Sequence, residues 1–421
     1  MHASVARHRR RFAPVILGIL AVVALGIGGV IAWRLLAPTP SDYEGLDATD
    51  KEMLTQLSEQ YDVTAAHPAE IWTDAYRYEE QPLVLLRTLG EKSSFWLHAI
   101  LVNMSGVTDT SGMTKIDVPG ATHLGDVRIS RTFAAGDGVL YAPSNFGVIE
   151  VGGDDVLAFK YNQAMLDTET TMSQGFARFS LHENFHVTKQ GIDPEAPGAW
   201  PWEAGGTIPD YPHTAAQYEL LRVEARIFDR VETETDPQVL AALASDLAAV
   251  RMARYTTWPT LTLEIELEAI EGTATYVERA FDRARGLTPV QNTFTDGLEA
   301  LIEDPDQQAV LERDYSYFTG AQLGLLLDHI APDWKTQLEP APTGSASTPF
   351  ATLQRVTGVS TAPDEAQLRT IVDRYLPSPL RLSRDNRPRR EGTPVAARMP
   401  ETMRAGRFTR GPPTGDRACS R

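Results

Sequence analysis

The chain has 421 residues, of which 42% are hydrophobic and 23% are charged, and this composition is typical of a globular protein. The formal net charge of −17 argues against nucleic acid as a partner, because phosphates repel an acidic surface. The single cysteine, Cys419, excludes an intramolecular disulfide and a cysteine-based zinc site.

A basic segment and a long apolar run open the chain. Residues 1–11 are basic, and residues 13–33 contain no charged side chain. Because such a run is long enough to cross a bilayer, we predict a single transmembrane helix over residues 12–36. Arginines precede the run and acids follow it, which places the N-terminus in the cytoplasm and the rest of the chain outside, tethered to the cell membrane. A cleaved signal peptide is the alternative, and it would also export the chain.

The remaining elements indicate an α+β fold. Residues 41–66 predict a linker and one amphipathic helix, and short apolar runs from about residue 71 to 159 are typical of strands. Helical spacing follows to about residue 332. We therefore predict a small N-terminal mixed sheet and then a mostly helical catalytic region, in one extracytoplasmic domain over residues 67–376. Residues 377–421 are rich in Arg, Pro and Gly and predict a disordered tail.

One stretch has residues that can bind a metal ion, at the spacing that metal binding requires. It is His182-Glu183-Asn184-Phe185-His186, which reads H-E-x-x-H. Histidines four residues apart lie on the same face of a helix, so their imidazoles can bind one zinc ion. The glutamate between them is then free to act as a base.

A catalytic zinc site needs a third protein ligand and an open position for water. Lys189 occupies the glycine position of H-E-x-x-H-x-x-G-x-x-H and no third histidine follows, so a glutamate from a later helix is the other route. The candidates are Glu219, Glu224, Glu264, Glu266, Glu268 and Glu271. Glu271 is favoured because small residues follow it, and small residues let two helices approach closely.

Together with H-E-x-x-H, the stretch Glu271-Gly272-Thr273-Ala274-Thr275-Tyr276-Val277-Glu278 resembles the gluzincin metallopeptidases, particularly the aminopeptidase N branch. The resemblance implies a zincin-like fold that binds Zn²⁺ through His182, His186 and Glu271. Tyr317-Phe318-Thr319-Gly320-Ala321 matches the Y-x-x-G-A stretch of that branch. This match implies that Tyr317 donates a hydrogen bond to the oxyanion, with Tyr315 as the fallback.

Several departures from that family limit what the resemblance implies. Ile270 stands where the N-E-G-F-A motif has Asn, and the chain between His186 and Glu271 is much longer than in aminopeptidase N. No G-x-M-E-N stretch, which holds a substrate's amino terminus in that family, is found. The resemblance therefore covers residues 140–335 and indicates a divergent branch without aminopeptidase specificity.

These residues predict a membrane-anchored, extracytoplasmic zinc metallopeptidase that acts on a peptide or protein substrate. Zinc would activate a water molecule, and Glu183 would accept its proton as the general base. Glu268 and Glu224 are candidates for orienting the histidines, and Trp200 with Trp202 is a candidate floor for a substrate cleft. Two alternatives stay open: a zinc hydrolase of a non-peptide amide or ester, and a catalytically degenerate zinc-binding scaffold protein of the cell envelope.

Overall fold

The described part of the chain forms two compact units. The computed structural model describes residues 39–90, 96–104, 112–133, 145–151, 154–167, 176–191, 199–202, 206–287, 293–339 and 347–376. The first of the two units, which we call the sheet unit, includes residues 39–58 and 80–167. The second, the helical unit, includes residues 59–79 and 176–376.

A six-stranded mixed sheet forms the sheet unit. Its strands are β1 (Leu83–Thr88), β2 (Trp96–Val102), β3 (Thr114–Lys115), β4 (Val127–Ser130), β5 (Phe146–Val151) and β6 (Asp154–Tyr161). They are ordered β3-β4-β2-β1-β6-β5. The β1–β6 pair is parallel and the other pairs are antiparallel. Alternate residues of the central strands, such as Val84 and Leu86, share one apolar core cluster, as the two-residue period of a strand requires.

Helix α1 (Ala48–Ala66) contributes its first half to the sheet unit through a buried carboxylate. Asp50 accepts a hydrogen bond of 2.6 Å from the Tyr161 hydroxyl, and its other oxygen lies 3.0 Å from Nε2 of His98. Arg87 Nε is 3.4 Å from the same carboxylate. One aspartate therefore joins α1 to strands β1, β2 and β6, which supply these three partners. A short helix, α3 (Gln163–Leu166), follows the last strand.

Helices make up the helical unit, and five of those described begin at a capping side chain. The helices are α2 (Pro68–Ile71), α4 (Phe176–Phe185), α5 (Ala215–Val231), α6 (Pro237–Thr257), α7 (Leu263–Leu267), α8 (Thr273–Ala284), α9 (Phe294–Glu303), α10 (Tyr315–Ile330), α11 (Trp334–Leu338), α12 (Pro349–Thr357) and α13 (Glu365–Tyr375). Thr214 caps α5, and Asp236 caps α6 ahead of a proline. Asp364 begins α13 with a capping box.

Five buried charged side chains tie α5 and α6 to the chain that follows them. Arg251 binds both oxygens of Glu268 at 2.6 and 2.7 Å and lies 3.1 Å from Glu224. Arg254 lies 2.6 Å from Glu224 and 2.6 Å from Glu264. Because each buried charge has an opposite partner, the cluster avoids the large cost of an unpaired ion. We call these residues the arginine cluster.

Two glycines mark the closest approach of α10 to the segment before α8. A Cβ on Gly272 would lie 2.6 Å from the Gly320 Cα, and a Cβ on Gly320 would lie 2.7 Å from the Gly272 Cα. Real Cβ atoms do not approach backbone so closely. Glycine at both positions therefore lets the two backbones touch.

The predicted fold needs one correction. Within the residues that the structure describes, no helix is both long enough and apolar enough to span a bilayer. The longest, α6, carries Asp246, Arg251 and Arg254 within its 21 residues. The fold is α+β with one mixed sheet, and the prediction that its class includes a single transmembrane helix is wrong on this finding. Residues 12–36, like the predicted tail at 377–421, lie outside the described residues.

Candidate metal centre

Three side chains of the helical unit converge on one point. His182 Nε2 and His186 Nε2 are 3.0 Å apart. Oε2 of Glu271 lies 3.5 Å from the first nitrogen and 3.3 Å from the second. All three side chains are buried. Within the described chain, this is the group of histidine and carboxylate side chains whose ligand atoms could hold a metal ion.

The spacing of these atoms suits a small cation. In a tetrahedral zinc site with bonds of about 2.0–2.1 Å, neighbouring ligand atoms lie about 3.3 Å apart. The three observed separations, 3.0, 3.3 and 3.5 Å, are close to that value. Two imidazole nitrogens and a carboxylate oxygen form a donor set that binds zinc and other transition metals. The residues present therefore fit a bound metal ion.

Hydrogen bonds on the far side of each ring orient the two imidazoles. Nδ1 of His182 lies 2.6 Å from Oε1 of Glu278, and Nδ1 of His186 lies 2.5 Å from Oε1 of Gln190. The Gln190 amide is itself oriented, because its nitrogen donates to Ile270 O at 2.8 Å and to Thr273 Oγ1 at 2.9 Å. Each Nδ1 therefore carries a proton, and in the neutral ring the Nε2 lone pair points to the centre.

The electrostatics of the site favour positive charge at its centre. Burial lowers the pKa of His182, but hydrogen bonds to Glu271 and Glu278 outweigh burial and raise that pKa well above its ordinary value. A proton and a metal ion would compete for the same Nε2 lone pair. The site is therefore one in which a divalent cation can replace a proton.

Both elements that supply ligands contain a π-helical turn at the ligand. Residues His186–Gln190 form one such turn at the end of α4, and Glu268–Gly272 form the other between α7 and α8. A π turn adds a residue to the helical repeat, and such turns are frequent at functional sites. The first turn ends at Gly191, whose φ of 78° suits glycine. The second holds Glu271 itself.

A fourth buried side chain, Glu183, lies beside the three converging residues. Its side chain is buried, and among the residues that the structure describes none donates a hydrogen bond to it. Burial raises the pKa of Glu183 to about 7, against the opposing effect of His182 and His186. A carboxyl group with a pKa near neutrality can both accept and release a proton.

Arg313 and Tyr317 complete the surroundings of Glu271. Arg313 Nη2 donates to Oε1 of Glu271 at 2.9 Å, so the two carboxylate oxygens face different partners. The Tyr317 ring stacks parallel to the His182 ring, with 6.1 Å between centroids. Burial raises the pKa of Tyr317 well above its ordinary value, and the nearby negative charge of Glu271 raises it further. Both residues lie in the stretch around the start of α10, which the Gly272–Gly320 contact brings to Glu271.

Other residues singled out from the sequence lie away from this point. Glu224, Glu264 and Glu268 belong to the arginine cluster, where they bind guanidinium groups. Glu219 and Glu266 are not part of the metal-binding group. The structure thus gives no support to Glu224 or Glu268 as partners of the histidine rings.

Trp200 does not line an open cleft. It is buried and lies 6.1 Å, centroid to centroid, from both Phe185 and Trp72, in an aromatic core. Trp202 packs against it, with 5.6 Å between the ring centroids.

Sequence reasoning missed three residues that contact the proposed ligands. Glu278 follows Glu271 by seven positions, which is the spacing of one helical face, and Gln190 follows His186 by four. Helical spacing could therefore have found both. Arg313 is 42 positions from Glu271, and no local pattern connects the two.

Comparison of the chain with protein-family models, with curated proteins and with solved structures finds no match.

Proposed function

We propose that the protein is a zinc-dependent metallopeptidase whose metal is held by His182, His186 and Glu271. The observation that carries the proposal is the convergence of three ligand atoms, 3.0 to 3.5 Å apart, with a free buried carboxylate next to them. That arrangement has the donor set of a catalytic zinc site and a base in the place that H-E-x-x-H gives it.

Each residue has a defined part in the hydrolysis that we propose. A zinc ion in this site would lower the pKa of a water molecule and polarise a carbonyl group. Glu183 accepts the proton from the attacking water and passes it to the leaving amine, a role that suits a pKa of about 7. Tyr317 donates a hydrogen bond from its hydroxyl to the oxygen on which negative charge develops.

The partner of such a site is a peptide or protein substrate. The resemblance of the motifs to gluzincins supports peptide hydrolysis, which stays a prediction. A zinc hydrolase of another amide or ester would use the same residues. The two are separated by assaying the full chain against a peptide library and against a panel of non-peptide amides and esters.

The central test measures metal content and hydrolysis in the same samples. The full chain should bind one equivalent of zinc and cleave peptides. Glu183→Gln should keep the metal and lose about 10²–10⁴-fold in kcat, because only proton transfer is removed. Glu271→Ala should lose the metal. Glu266→Ala, which removes an exposed glutamate, is the matched control and should change neither.

Two results would overturn the proposal. Wild-type protein that binds no zinc cannot be a zinc enzyme, and wild-type activity in Glu183→Gln would remove the residue as the base.

A further inference from the structure

We infer that Arg313 is a positioning residue that occupies one oxygen of Glu271, so that Glu271 offers a single oxygen to the metal. The inference rests on the proposed function, since it concerns the third ligand of that site. The inference is based on the two oxygens of the Glu271 carboxylate, which have different partners. Oε1 accepts a hydrogen bond of 2.9 Å from Arg313, whereas Oε2 faces the nitrogens of His182 and His186.

The different partners of the two oxygens matter because a carboxylate can bind a metal through one oxygen or through two. A catalytic zinc site needs three protein ligands and an open position for water or substrate. If both oxygens of Glu271 bound the metal, the second would take up coordination that the open position requires. A guanidinium on Oε1 removes that option, and it holds the carboxylate plane with a charge-assisted hydrogen bond.

Arg313 is itself held in place. It lies between a 3₁₀ turn (Gln308–Glu312) and α10, and its backbone carbonyl accepts a hydrogen bond of 3.0 Å from the Ser316 amide. Nη1 lies 3.3 Å from Oδ1 of Asp314. The guanidinium carbon lies 5.2 Å from the centroid of the Tyr317 ring, within the range of a cation–π contact. The residue therefore approaches Glu271 from a fixed point.

This placement links two parts of the site. Arg313 contacts the proposed third ligand and also the ring of Tyr317, the proposed oxyanion donor. An arginine is suited to this role, because its planar group can hydrogen-bond a carboxylate and stack on an aromatic ring together.

Cobalt substitution tests the inference without an activity assay. Co²⁺ replaces zinc in such sites, and its visible absorption is stronger and lies at longer wavelength when it is four-coordinate than when it is five-coordinate. We expect wild-type full chain loaded with Co²⁺ to give the four-coordinate spectrum. Arg313→Gln should bind one equivalent of Co²⁺ with lower intensity and a shift to shorter wavelength, since Oε1 is then free to bind.

Arg222→Gln is the matched control. Arg222 has a side-chain exposure of 15%, against 16% for Arg313, and it also pairs with a glutamate, Glu299, at 2.9 Å. Its loss should leave the cobalt spectrum unchanged, so a general effect of breaking an ion pair is excluded. Arg313→Lys keeps a cation that can reach Oε1 and should restore the wild-type spectrum, whether or not Arg313→Gln folds.

The possible results separate this inference from the proposed function. Wild-type protein that binds no metal overturns both. A wild-type spectrum in Arg313→Gln, or a five-coordinate spectrum in Arg313→Lys, overturns the role of Arg313 alone. A wild-type spectrum in Arg313→Gln combined with a raised KM would assign Arg313 to substrate contact, and it also overturns the positioning role.

Discussion

Tyr317 is suited to donate a hydrogen bond from its hydroxyl rather than to act as an anion. Burial raises the pKa of Tyr317 well above its ordinary value, and the negative charge of Glu271 raises it further, with Arg313 opposing. The phenol therefore keeps its proton at neutral pH. Its neighbour Tyr315 is different: the ring packs 6.4 Å from Phe294, and its buried hydroxyl has no hydrogen-bond partner among the described residues.

We therefore expect Tyr317→Phe to lower kcat by about 10²–10³-fold, the usual effect of losing one oxyanion donor. Zinc content should not change, because no ligand is removed. Tyr315→Phe is the control, and it should keep wild-type turnover. Steady-state kinetics with zinc analysis on each variant measures both. Full activity in Tyr317→Phe, or a large loss in Tyr315→Phe, would reassign the role.

At the scale of elements, the position of α10 depends on the Gly272–Gly320 contact. The π turn that holds Glu271 ends at Gly272, and α10 carries Tyr317 one turn before Gly320. Any side chain at either glycine would separate the two backbones. Because Arg313 and Tyr317 both reach Glu271 from the start of α10, a displaced helix would also disturb the site.

Gly320→Ala should destabilise the helical unit by about 1–3 kcal/mol, because the new methyl group has no space and backbone must move. It should also weaken metal binding. Gly297→Ala is the matched control in α9, where a Cβ meets no atom within 4 Å. That change should stabilise by about 0.5–1 kcal/mol through helix propensity. Urea unfolding and competition with a chelator measure the two effects, and equal stability of the two variants would contradict the expectation.

Several helices could be predicted from local signals, because those signals are physically local. Thr214 and Asp236 cap α5 and α6, and Asp364 begins α13 with a capping box, so residues next to each helix set where it starts. Helix α12 has local signals of the same kind, since Thr348 caps it ahead of a proline and Gly358 ends it with a φ of 71°.

Features that depend on distant contacts could not be predicted. A π turn needs tertiary contacts that favour an extra residue, so no spacing rule locates the turns at His186 and Glu271. The sequence did indicate Glu271 through its small neighbours, and the structure brings it to both histidines. Nothing in the sequence indicated that Glu268 would bind Arg251 instead, because a glutamate's partner depends on which helix packs beside it.

Over the whole molecule, the two units bury charge in different ways. The helical unit buries the arginine cluster, two cations with three anions, among its helices. Among the described residues of the sheet unit, Asp50 carries a buried carboxylate, and Lys160 is also buried. Burial raises the pKa of Asp50, but His98, Tyr161 and Arg87 outweigh it and hold that pKa below its ordinary value. The stability of the sheet unit is therefore linked to the ionised form of one aspartate.

The sign of the pH dependence follows from that shift. Since the folded pKa of Asp50 lies below the unfolded value of about 3.9, its contribution is present above that value and is lost as pH falls through the folded pKa. Asp50→Asn should cost about 1–3 kcal/mol at pH 7, and the difference from wild type should shrink below about pH 4. Chemical denaturation across this pH range measures the difference.

Asp117→Asn is the control in the sheet unit, because the Asp117 side chain is 93% exposed. It should leave stability unchanged at every pH. A deficit in Asp50→Asn that stays constant from pH 7 to pH 3 would show that ionisation of Asp50 is not what stabilises the unit.

The arginine cluster also affects how the stability of the helical unit changes with temperature. The hydration of charged groups becomes less favourable as temperature rises, so the free energy needed to keep five charges away from water falls on warming. Apolar burial gains no comparable advantage. The contribution of the arginine cluster to the packing of α5 and α6 around Glu268, and so to the turn that holds Glu271, should therefore become more favourable on warming.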